Sequence, residues 1–326
     1  MKSTYKWGIL GPGNIAHQFA QGLSVTEKGK IHAVGSRDIS RAKAFAEQYG
    51  AEKFYGSYEE LIMDDDLDII YIATPHHLHY ELTKKCFDQG KNVLCEKPIC
   101  INSRQFEELR LYAKEKNVFY MDAIWTRFHP IIKKSLELVH EIGEIKTIKA
   151  DFGFKADYDP NSRLFNPELG GGTILDIGIY TLFMPLLFLG KPDTINANAI
   201  IGETGVDNSS AMILSYNNGA IASLLSTFMT NTSTEAEISG TKGKIIFHSR
   251  FFMTSKLTLA LNDKEANEIN MDFKMNGYEY EAEEAMKCLD KGLLESPLLP
   301  LSFTSDLMSI MDEVRDQIGV KYSCDN

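Results

Sequence analysis

The sequence lacks an excess of positive charge. Its formal net charge is −11, because 45 acidic residues outnumber 34 lysines and arginines. A protein with this balance is poorly suited to bind the phosphates of nucleic acids or an anionic membrane surface. We therefore expect no nucleic-acid partner and no membrane partner, and an anionic ligand would have to be bound by local positive groups.

Cysteine pairs are missing as well. The five cysteines form no C-x-x-C motif and their number is odd, which is typical of reduced thiols. No secretory signal and no apolar run of transmembrane length is evident, so we expect a cytoplasmic protein. Low-complexity tracts and internal repeats are also absent, and 326 residues are enough for two domains.

The first 122 residues alternate short apolar runs with amphipathic segments. Unbroken apolar strands that alternate with helices indicate a parallel sheet covered on both faces, so we predict a doubly wound α/β domain over 1–122. One helix should end at Gly50, after apolar residues at helical spacing from Ile39 to Tyr49. The apolar runs are 7–10, 31–35, 69–73, 93–95 and 118–121.

The second part of the chain, 123–326, shows a period of two. Apolar residues alternate with polar ones over 148–154 and 195–201, and Asn218-Gly219 is a strong hairpin signal. We predict an α+β domain with a mostly antiparallel sheet that is polar on one face. Two helices should close the chain, and the apolar side of the last one, 303–318, should pack back toward the first domain.

A glycine motif follows the first apolar run. Gly11-x-Gly13-x-x-Ala16 comes after a strand and opens a helix, as the dinucleotide fingerprint of a Rossmann domain requires. Gly11 would permit the tight turn and Gly13 the approach of a pyrophosphate, with Asn14 and Ile15 at the helix start. The alternative is a plain strand-to-helix turn.

Arginine stands where NAD-specific proteins place an acidic residue. After the second strand the sequence reads Ser36-Arg37-Asp38, and the guanidinium of Arg37 suits a 2′-phosphate. Arg41 adds positive charge, and Asp38 is expected to cap the next helix. We therefore predict NADP as the cofactor, with NAD possible; the alternative is an exposed arginine without a ligand.

Two further segments are expected to lie beside the nicotinamide ring of the cofactor. Thr74, Pro75, His76 and His79 follow the 69–73 strand; their loop has three histidines but no carboxylate or thiol at metal-ligand spacing, so we predict no metal. An alternative role of His79 is to satisfy backbone groups at the helix start. Glu96-Lys97-Pro98 follows the 93–95 strand, where Lys97 could reach cofactor and substrate, and Glu96 either anchors this loop or edges the nicotinamide.

Asp176 and Tyr180 are spaced i, i+4 in an apolar segment. On an α-helix this spacing places both on one face, and Gly170-Gly171-Gly172 before them suggests a close backbone approach. The alternative is a capped helix with a core tyrosine.

Together these motifs resemble the glucose–fructose oxidoreductase / inositol dehydrogenase family. The resemblance covers essentially the whole chain, through G-x-G-x-x-A at 11–16, T-P-x-x-x-H at 74–79, E-K-P at 96–98 and G-G-G-x-x-x-D-x-G-x-Y at 170–180. Within the family, 36–38, 123–128 and 310–315 look like the branch of dimeric trans-dihydrodiol dehydrogenases and NADP-dependent D-xylose 1-dehydrogenases.

The resemblance implies a large open sheet in the second domain, a homodimer formed through it and a cis Lys97–Pro98 bond. It implies that Tyr180 and Lys97 are the catalytic pair, with Asp176 as supporting acid, and that Trp125, Arg127, Phe154 and Asp176 line a sugar or diol site. We therefore expect hydride transfer between NADP(H) and a carbinol carbon of a sugar, polyol or vicinal diol. The alternatives are a non-catalytic NADP-binding sensor or repressor and, less suited to a hydroxyl-proton acceptor, a reductase of tetrapyrroles or imines.

Overall fold

The computed structural model describes residues 2–325, which divide into two compact units. The first unit contains residues up to 128 together with 273–305, and the second contains 129–272 together with 306 onward. This division differs from the predicted 1–122 and 123–326, since 123–128 and 273–305 group with the first unit. One reason is the hydrogen bond of 3.0 Å from Tyr120 N to Leu294 O, which ties the later segment to the first sheet.

The first unit is built on a parallel six-stranded sheet with the order β3-β2-β1-β4-β5-β6. The predicted Rossmann domain is therefore confirmed. The sequence-based prediction omitted β3, because its three residues are half-buried or exposed and show no apolar run. The strands are β1 (Tyr5–Leu10), β2 (Gly29–Gly35), β3 (Lys53–Tyr55), β4 (Ile69–Ile72), β5 (Asn92–Glu96) and β6 (Tyr120–Ala123).

The helices of the chain are α1 (Asn14–Ser24), α2 (Ile39–Tyr49), α3 (Tyr58–Ile62), α4 (His79–Asp88), α5 (Ser103–Lys116), α6 (Pro130–Leu138), α7 (Ile179–Leu189), α8 (Tyr278–Asp290) and α9 (Leu301–Ile318). As predicted, Asp38 caps the N-terminus of α2, where its side chain accepts a hydrogen bond from Ser40 N, and Gly50 caps the C-terminus with φ of 69°. In the first unit α8 packs on α1, and Phe19 of α1 stacks on Tyr71 of β4 at 3.8 Å between ring centroids. The packing of α9 toward the first domain stays a prediction.

The second unit contains an eight-stranded sheet in the order β14-β13-β12-β11-β7-β10-β9-β8. All neighbouring strands are antiparallel except β7 and β10, so the predicted mostly antiparallel sheet is confirmed. Gly219, at φ of 82°, forms the predicted turn between β9 and β10. The strands are β7 (Ile145–Gly153), β8 (Thr194–Ile201), β9 (Asp207–Ser215), β10 (Ile221–Thr227), β11 (Ala236–Gly240), β12 (Gly243–Phe247), β13 (Lys256–Leu261) and β14 (Asn267–Asn270).

The segment Pro167–Leu189 is the most apolar part of the second unit. It is long enough and, with a hydropathy of 1.7, apolar enough to cross a membrane, which corrects the expectation that no run reaches that length. However, 83% of its most apolar window is buried inside the protein, as in a core helix. Its helix α7 packs against β7 and β10, so the sheet covers this apolar surface.

Candidate active site

The glycine loop of the first unit has the geometry of a phosphate-binding turn. Gly11 adopts φ of 86°, and a Cβ there would lie 3.0 Å from Ala73 O, so a larger residue is excluded. A Cβ at Gly13 would meet no atom within 4 Å, so the space in front of the α1 N-terminus is open. The first turn of α1 contains no acidic residue and no side-chain cap, so Asn14 and Ile15 begin a helix that is suited to a pyrophosphate.

The residues after β2 present one free guanidinium. Arg37 is exposed and has no hydrogen bond or ion pair with any other described residue, whereas Arg41 Nη2 donates to Pro12 O at 3.2 Å. The buried Ser36 accepts a hydrogen bond of 3.2 Å from Asp38 N through its hydroxyl. The hydrogen bonds from Ser40 lower the pKa of Asp38, which caps α2. Arg37 is therefore available to bind a ligand phosphate, while Arg41 stabilises the glycine loop through its hydrogen bond to Pro12 O.

His79 connects the two loops that were expected to edge the nicotinamide. Its side chain is fully buried, with Nδ1 2.8 Å from Pro98 O and Nε2 2.8 Å from Thr74 O. Burial lowers the pKa of His79 to about 4, although the two carbonyl groups oppose this shift. With both ring nitrogens at backbone carbonyls, the contacts of His79 favour the alternative role at the backbone, and its assignment as a cofactor-binding residue stays a prediction.

The other residues of these loops are placed near the ends of β4 and β5. Pro75 and His76 are half-buried, while Thr74 is buried and its hydroxyl has no hydrogen-bond partner within residues 2–325. The Lys97–Pro98 peptide bond is cis, as the resemblance implied.

Glu96 is buried at the end of β5. One carboxyl oxygen accepts a hydrogen bond from the Tyr71 hydroxyl, and Oε2 accepts one of 3.2 Å from Lys97 N. Burial raises the pKa of Glu96 to about 7, and Tyr71 and Lys97 oppose that shift. Of the two roles that the sequence left open for Glu96, these contacts support the anchoring of the Lys97 loop.

Trp125 and Arg127 lie together after β6. Trp125 is 6% exposed and stacks on Tyr278, with 4.2 Å between ring centroids. Arg127 is half-buried, and its Nη1 has no hydrogen-bond partner among the described residues. Burial lowers the pKa of Arg127 and the charge of Glu284 opposes this. A buried donor without a partner is what a ligand oxygen could satisfy, so the substrate-binding role of Arg127 stays a prediction.

In the second unit, Asp176 and Tyr180 are both buried, at 5% and 6% exposure. Asp176 belongs to a π-helical turn, Ile174–Gly178, and Tyr180 lies in the first turn of α7. The sequence predicted one continuous α-helical spacing and did not foresee this turn. Single π-turns are rare and are frequent at functional sites.

Arg163 is a site residue that the sequence analysis missed. Its Nη1 donates to Asp176 Oδ1 at 2.8 Å, and the charge of Asp176 raises the pKa of Arg163, with a further contribution from Tyr180. By reciprocity, the guanidinium favours the phenolate form of Tyr180. The residue lies in a loop without apolar periodicity, so no signal in the sequence marked it.

The glycine-rich segment before Asp176 is held by buried polar groups. A Cβ at Gly172 would lie 2.4 Å from Asp207 Oδ1, so only glycine fits there. Asp207 accepts hydrogen bonds from the Thr173 hydroxyl and, at 2.9 Å, from Ile174 N. The hydroxyl of Tyr322 donates to Gly171 O. The predicted close backbone approach at these glycines is therefore observed.

Aromatic side chains surround Tyr180. Its ring lies 5.1 Å from that of Phe252 and 6.0 Å from that of Phe152, measured between centroids. Phe154 packs on Phe228 at 5.3 Å. Phe154 was predicted to line the substrate site, and its half-buried position in this cluster leaves that role a prediction.

Potential metal ligands meet at His32, Asp64 and Asp66, whose ligand atoms lie within 4.8 Å of one another. The ammonium group of Lys53 donates to Asp64 at 2.8 Å and to Asp66 at 2.7 Å. This lysine already forms ion pairs with both carboxylates, and the prediction of no metal stays a prediction.

The chain matches two family profiles that together span most of its length. Residues 5–123 match the oxidoreductase family with an NAD-binding Rossmann fold, and residues 136–246 match the GFO/IDH/MocA C-terminal domain. The protein belongs to this family of oxidoreductases.

The similarity extends to named relatives over the full length. Trans-1,2-dihydrobenzene-1,2-diol dehydrogenase of Xenopus tropicalis is 40% identical, covering 97% of this chain and 99% of that protein. The protein of the same name from Homo sapiens is 35% identical, covering 98% of each. The predictions of the family, of an oxidoreductase acting on CH–OH groups and of NAD(P) as cofactor are confirmed.

Solved structures share the fold at lower identity. The aldose-aldose oxidoreductase of Caulobacter crescentus superposes with a TM-score of 0.88 at 22% identity, covering 96% of this chain and 97% of that one. A 3-ketoreductase from Actinomadura kijaniata, in complex with NADP and TDP-benzene, gives 0.86 at 24% identity, covering 97% and 98%.

Proposed function

We propose that the protein transfers a hydride between NADP(H) and a carbinol or carbonyl carbon of a vicinal diol, polyol or sugar. The observation that carries this proposal is the 40% identity, over nearly the whole chain, to a trans-1,2-dihydrobenzene-1,2-diol dehydrogenase. Because the substrate for which these relatives are named is a vicinal diol on a ring, cyclic diols are our first choice within this class.

The preference for NADP over NAD rests on Arg37. An exposed guanidinium without a partner in the described chain suits the 2′-phosphate, which NAD lacks. The glycine loop supports the same cofactor class, since the open space at Gly13 lies at the N-terminus of α1. When bound, the nicotinamide supplies the carbon that accepts or donates the hydride.

We assign the transfer of the hydroxyl proton to Tyr180, with Lys97 as its partner, on the strength of the resemblance in sequence. A free tyrosine titrates near ~10, too high for an efficient base at neutral pH, so a nearby cation is needed. Within the second unit Arg163 is such a cation, because its guanidinium interacts with Tyr180 and pairs with Asp176. Asp176 thereby orients Arg163, and we assign it the further role of ordering substrate hydroxyls.

The test is the reduction of NADP⁺, followed by absorbance, with a panel of cyclic vicinal diols, inositols and aldoses. We expect turnover on at least one class, and loss of that turnover in Lys97→Met. The matched control is Lys43→Met, which changes an exposed lysine paired with Glu47 on α2. Binding of NADPH without turnover on any member of the panel would contradict the proposal and favour a cofactor-binding sensor.

We further propose that the protein is a homodimer through the open face of the second sheet. Isoleucines and a leucine are exposed on neighbouring strands there: Ile213 is 41% exposed, Ile221 47% and Leu225 37%. Ile213 of β9 is paired with Ser223 of β10, which lies between Ile221 and Leu225, so these side chains share one face. A contiguous apolar patch of this kind is typical of an interface.

Sedimentation velocity tests the dimer. Ile213→Lys combined with Ile221→Lys should convert a dimer to a monomer, while the control Met63→Lys, at an exposed apolar residue of the first unit, should not. A monomeric unmodified protein at micromolar concentration would contradict this proposal.

A further inference from the structure

One face of the first sheet carries the buried carboxyl group of Glu96, next to the Lys97 loop. Tyr71 of β4 pairs in register with Leu94 of β5, and side chains alternate along a strand, so Tyr71 and Glu96 lie on the same face. Helix α1 covers this face, since Phe19 stacks on Tyr71. Helix α8 packs on α1 and carries Glu281.

Three carboxyl groups are buried in this part of the unit. Glu281 is 0% exposed, Asp122 of β6 is 1% exposed and Glu96 is 8% exposed. Neither carboxyl oxygen of Glu281 has a hydrogen-bond partner in residues 2–325, and neither does Oδ1 of Asp122. An isolated carboxylate in such surroundings costs several kcal/mol, so the three groups cannot all be ionised together.

The hydrogen bonds distinguish Glu96 from Glu281. Glu96 accepts from the Tyr71 hydroxyl and from the backbone N–H of Lys97, and donors of this kind stabilise a carboxylate. Glu281 has no donor among the described residues, and it is influenced by the charges of Glu96 and Asp122. Ionisation is therefore more favourable at Glu96 than at Glu281, so Glu96 carries the negative charge and Glu281 stays protonated.

The surrounding charges support this distribution. Lys97 is the cation that favours ionised Glu96 and Asp122. Other titratable groups in range include Tyr71 of β4, Cys95 of β5, Tyr120 of β6 and Tyr278 of α8. Burial raises the pKa of Asp122 to about 8 and that of Glu281 well above its usual range, whereas the pKa of Glu96 is raised only to about 7.

We propose that Glu281 acts as a permanently protonated carboxylic acid, which allows Glu96 to be the ionised group that anchors the Lys97 loop. Glu281 is then a positioning residue that acts through Glu96 on Lys97. The inference concerns the same site as the proposed function and rests on it only for the rate measurements below.

The direct test is infrared spectroscopy of the full-length protein at pH 7, in the region where the carbonyl stretch of a protonated carboxylic acid is separate from that of a carboxylate. We expect the unmodified protein to show such a band, Glu281→Gln to lose it in part and the control Glu283→Gln to retain it fully. Glu283 is on the same helix but forms an exposed ion pair with Lys274. This readout does not depend on catalysis, so it stands even if the proposed function fails.

The rate measurements test the link to Lys97. Because glutamine copies a neutral carboxylic acid, Glu281→Gln should keep kcat within about threefold, less than 1 kcal/mol. Glu96 loses its charge as the pH falls through about 7, so kcat/KM of the unmodified enzyme should decline on that side. In Glu96→Gln the part of the decline that is centred near pH 7 should vanish, with kcat/KM at pH 8 about tenfold lower and binding of NADPH retained.

Two results would overturn the inference: an unchanged infrared band in Glu281→Gln, or a decline centred near pH 7 that persists in Glu96→Gln. If a variant does not fold, pH titration of the band in the unmodified protein decides. Absence of the band at pH 7 would then rule out a protonated Glu281.

Discussion

The two units build their functional surfaces in different ways. In the first unit the candidate groups follow the ends of successive parallel strands, and several act through their backbone, as Gly11 and Gly13 do. In the second unit Asp176 and Tyr180 depend on side chains from distant parts of the chain, such as Arg163 and Tyr322. Sequence motifs identify almost all candidate groups of the first unit. In the second unit the candidate groups come together only when the chain folds.

This difference predicts how each surface responds to substitution. A change at Arg37 or in the glycine loop of the first unit should affect the choice or binding of the cofactor, because these groups are expected to contact it. A change in the second unit should affect kcat, because the groups around Tyr180 act on the proton transfer. Single substitutions that remove side chains of similar size can therefore distinguish the role of the first unit in cofactor binding from the role of the second unit in proton transfer.

The largest effect is expected for Tyr180→Phe in the second unit. It removes the proton acceptor but keeps a ring that can pack on Phe252, so we expect kcat to fall roughly 10²–10⁴-fold. Steady-state kinetics and NADPH titration by fluorescence are the measurements, and NADPH binding should be unchanged. Tyr158→Phe, an exposed tyrosine of the same unit, is the control. Near-normal turnover of Tyr180→Phe would remove the residue from the mechanism.

The next effect concerns Arg37→Ala in the first unit. Loss of charge-assisted hydrogen bonds worth about 1.5–3 kcal/mol should raise KM for NADPH roughly 10–100-fold, while KM for NADH changes little. Arg104→Ala, which removes an exposed arginine paired with Glu108, serves as the control. Equal changes in KM for NADPH and for NADH would show that Arg37 does not bind the 2′-phosphate.

A smaller loss is expected for Arg163→Ala. Without the guanidinium, Asp176 loses its ion pair and Tyr180 loses a cation that favours its phenolate, so kcat should fall about tenfold. The acid-side limb of the pH–rate profile, along which Tyr180 loses its proton, should move to higher pH, and Arg163→Lys should restore part of the rate. A change in KM alone would instead indicate a role in substrate binding only.

The smallest effect is expected for Tyr322→Phe. The substitution removes the hydrogen bond to Gly171 O and leaves the ring beneath Arg315, at 5.0 Å from the guanidinium carbon. Because a buried hydrogen bond contributes about 1 kcal/mol, we expect the free energy of unfolding in urea to decrease by about that amount. A kcat lowered more than tenfold would show that the C-terminal segment also positions Asp176.

The architecture could be predicted because its signals are local. Apolar runs marked the strands of the first sheet and a period of two marked those of the second, while Gly50 and Asn218-Gly219 marked a helix end and a hairpin turn. The short strands β3 and β14 were missed because they contain no apolar run and lie at sheet edges. In the candidate site, the motifs at 11–16 and 96–98 were recognised for the same reason, whereas Arg163 and Glu281 belong to no motif.

By itself, the sequence determined the class of fold, the cofactor class and the residue types available for chemistry, because spacing and periodicity record them directly. Tertiary structure decided which side chains are charged and which are fixed in place by hydrogen bonds or ion pairs. It buried Glu281 without a donor, paired Asp176 with Arg163 and directed both nitrogens of His79 to backbone carbonyls. Burial and partners set the free energy of a charge, and neither can be obtained from a residue's neighbours in sequence.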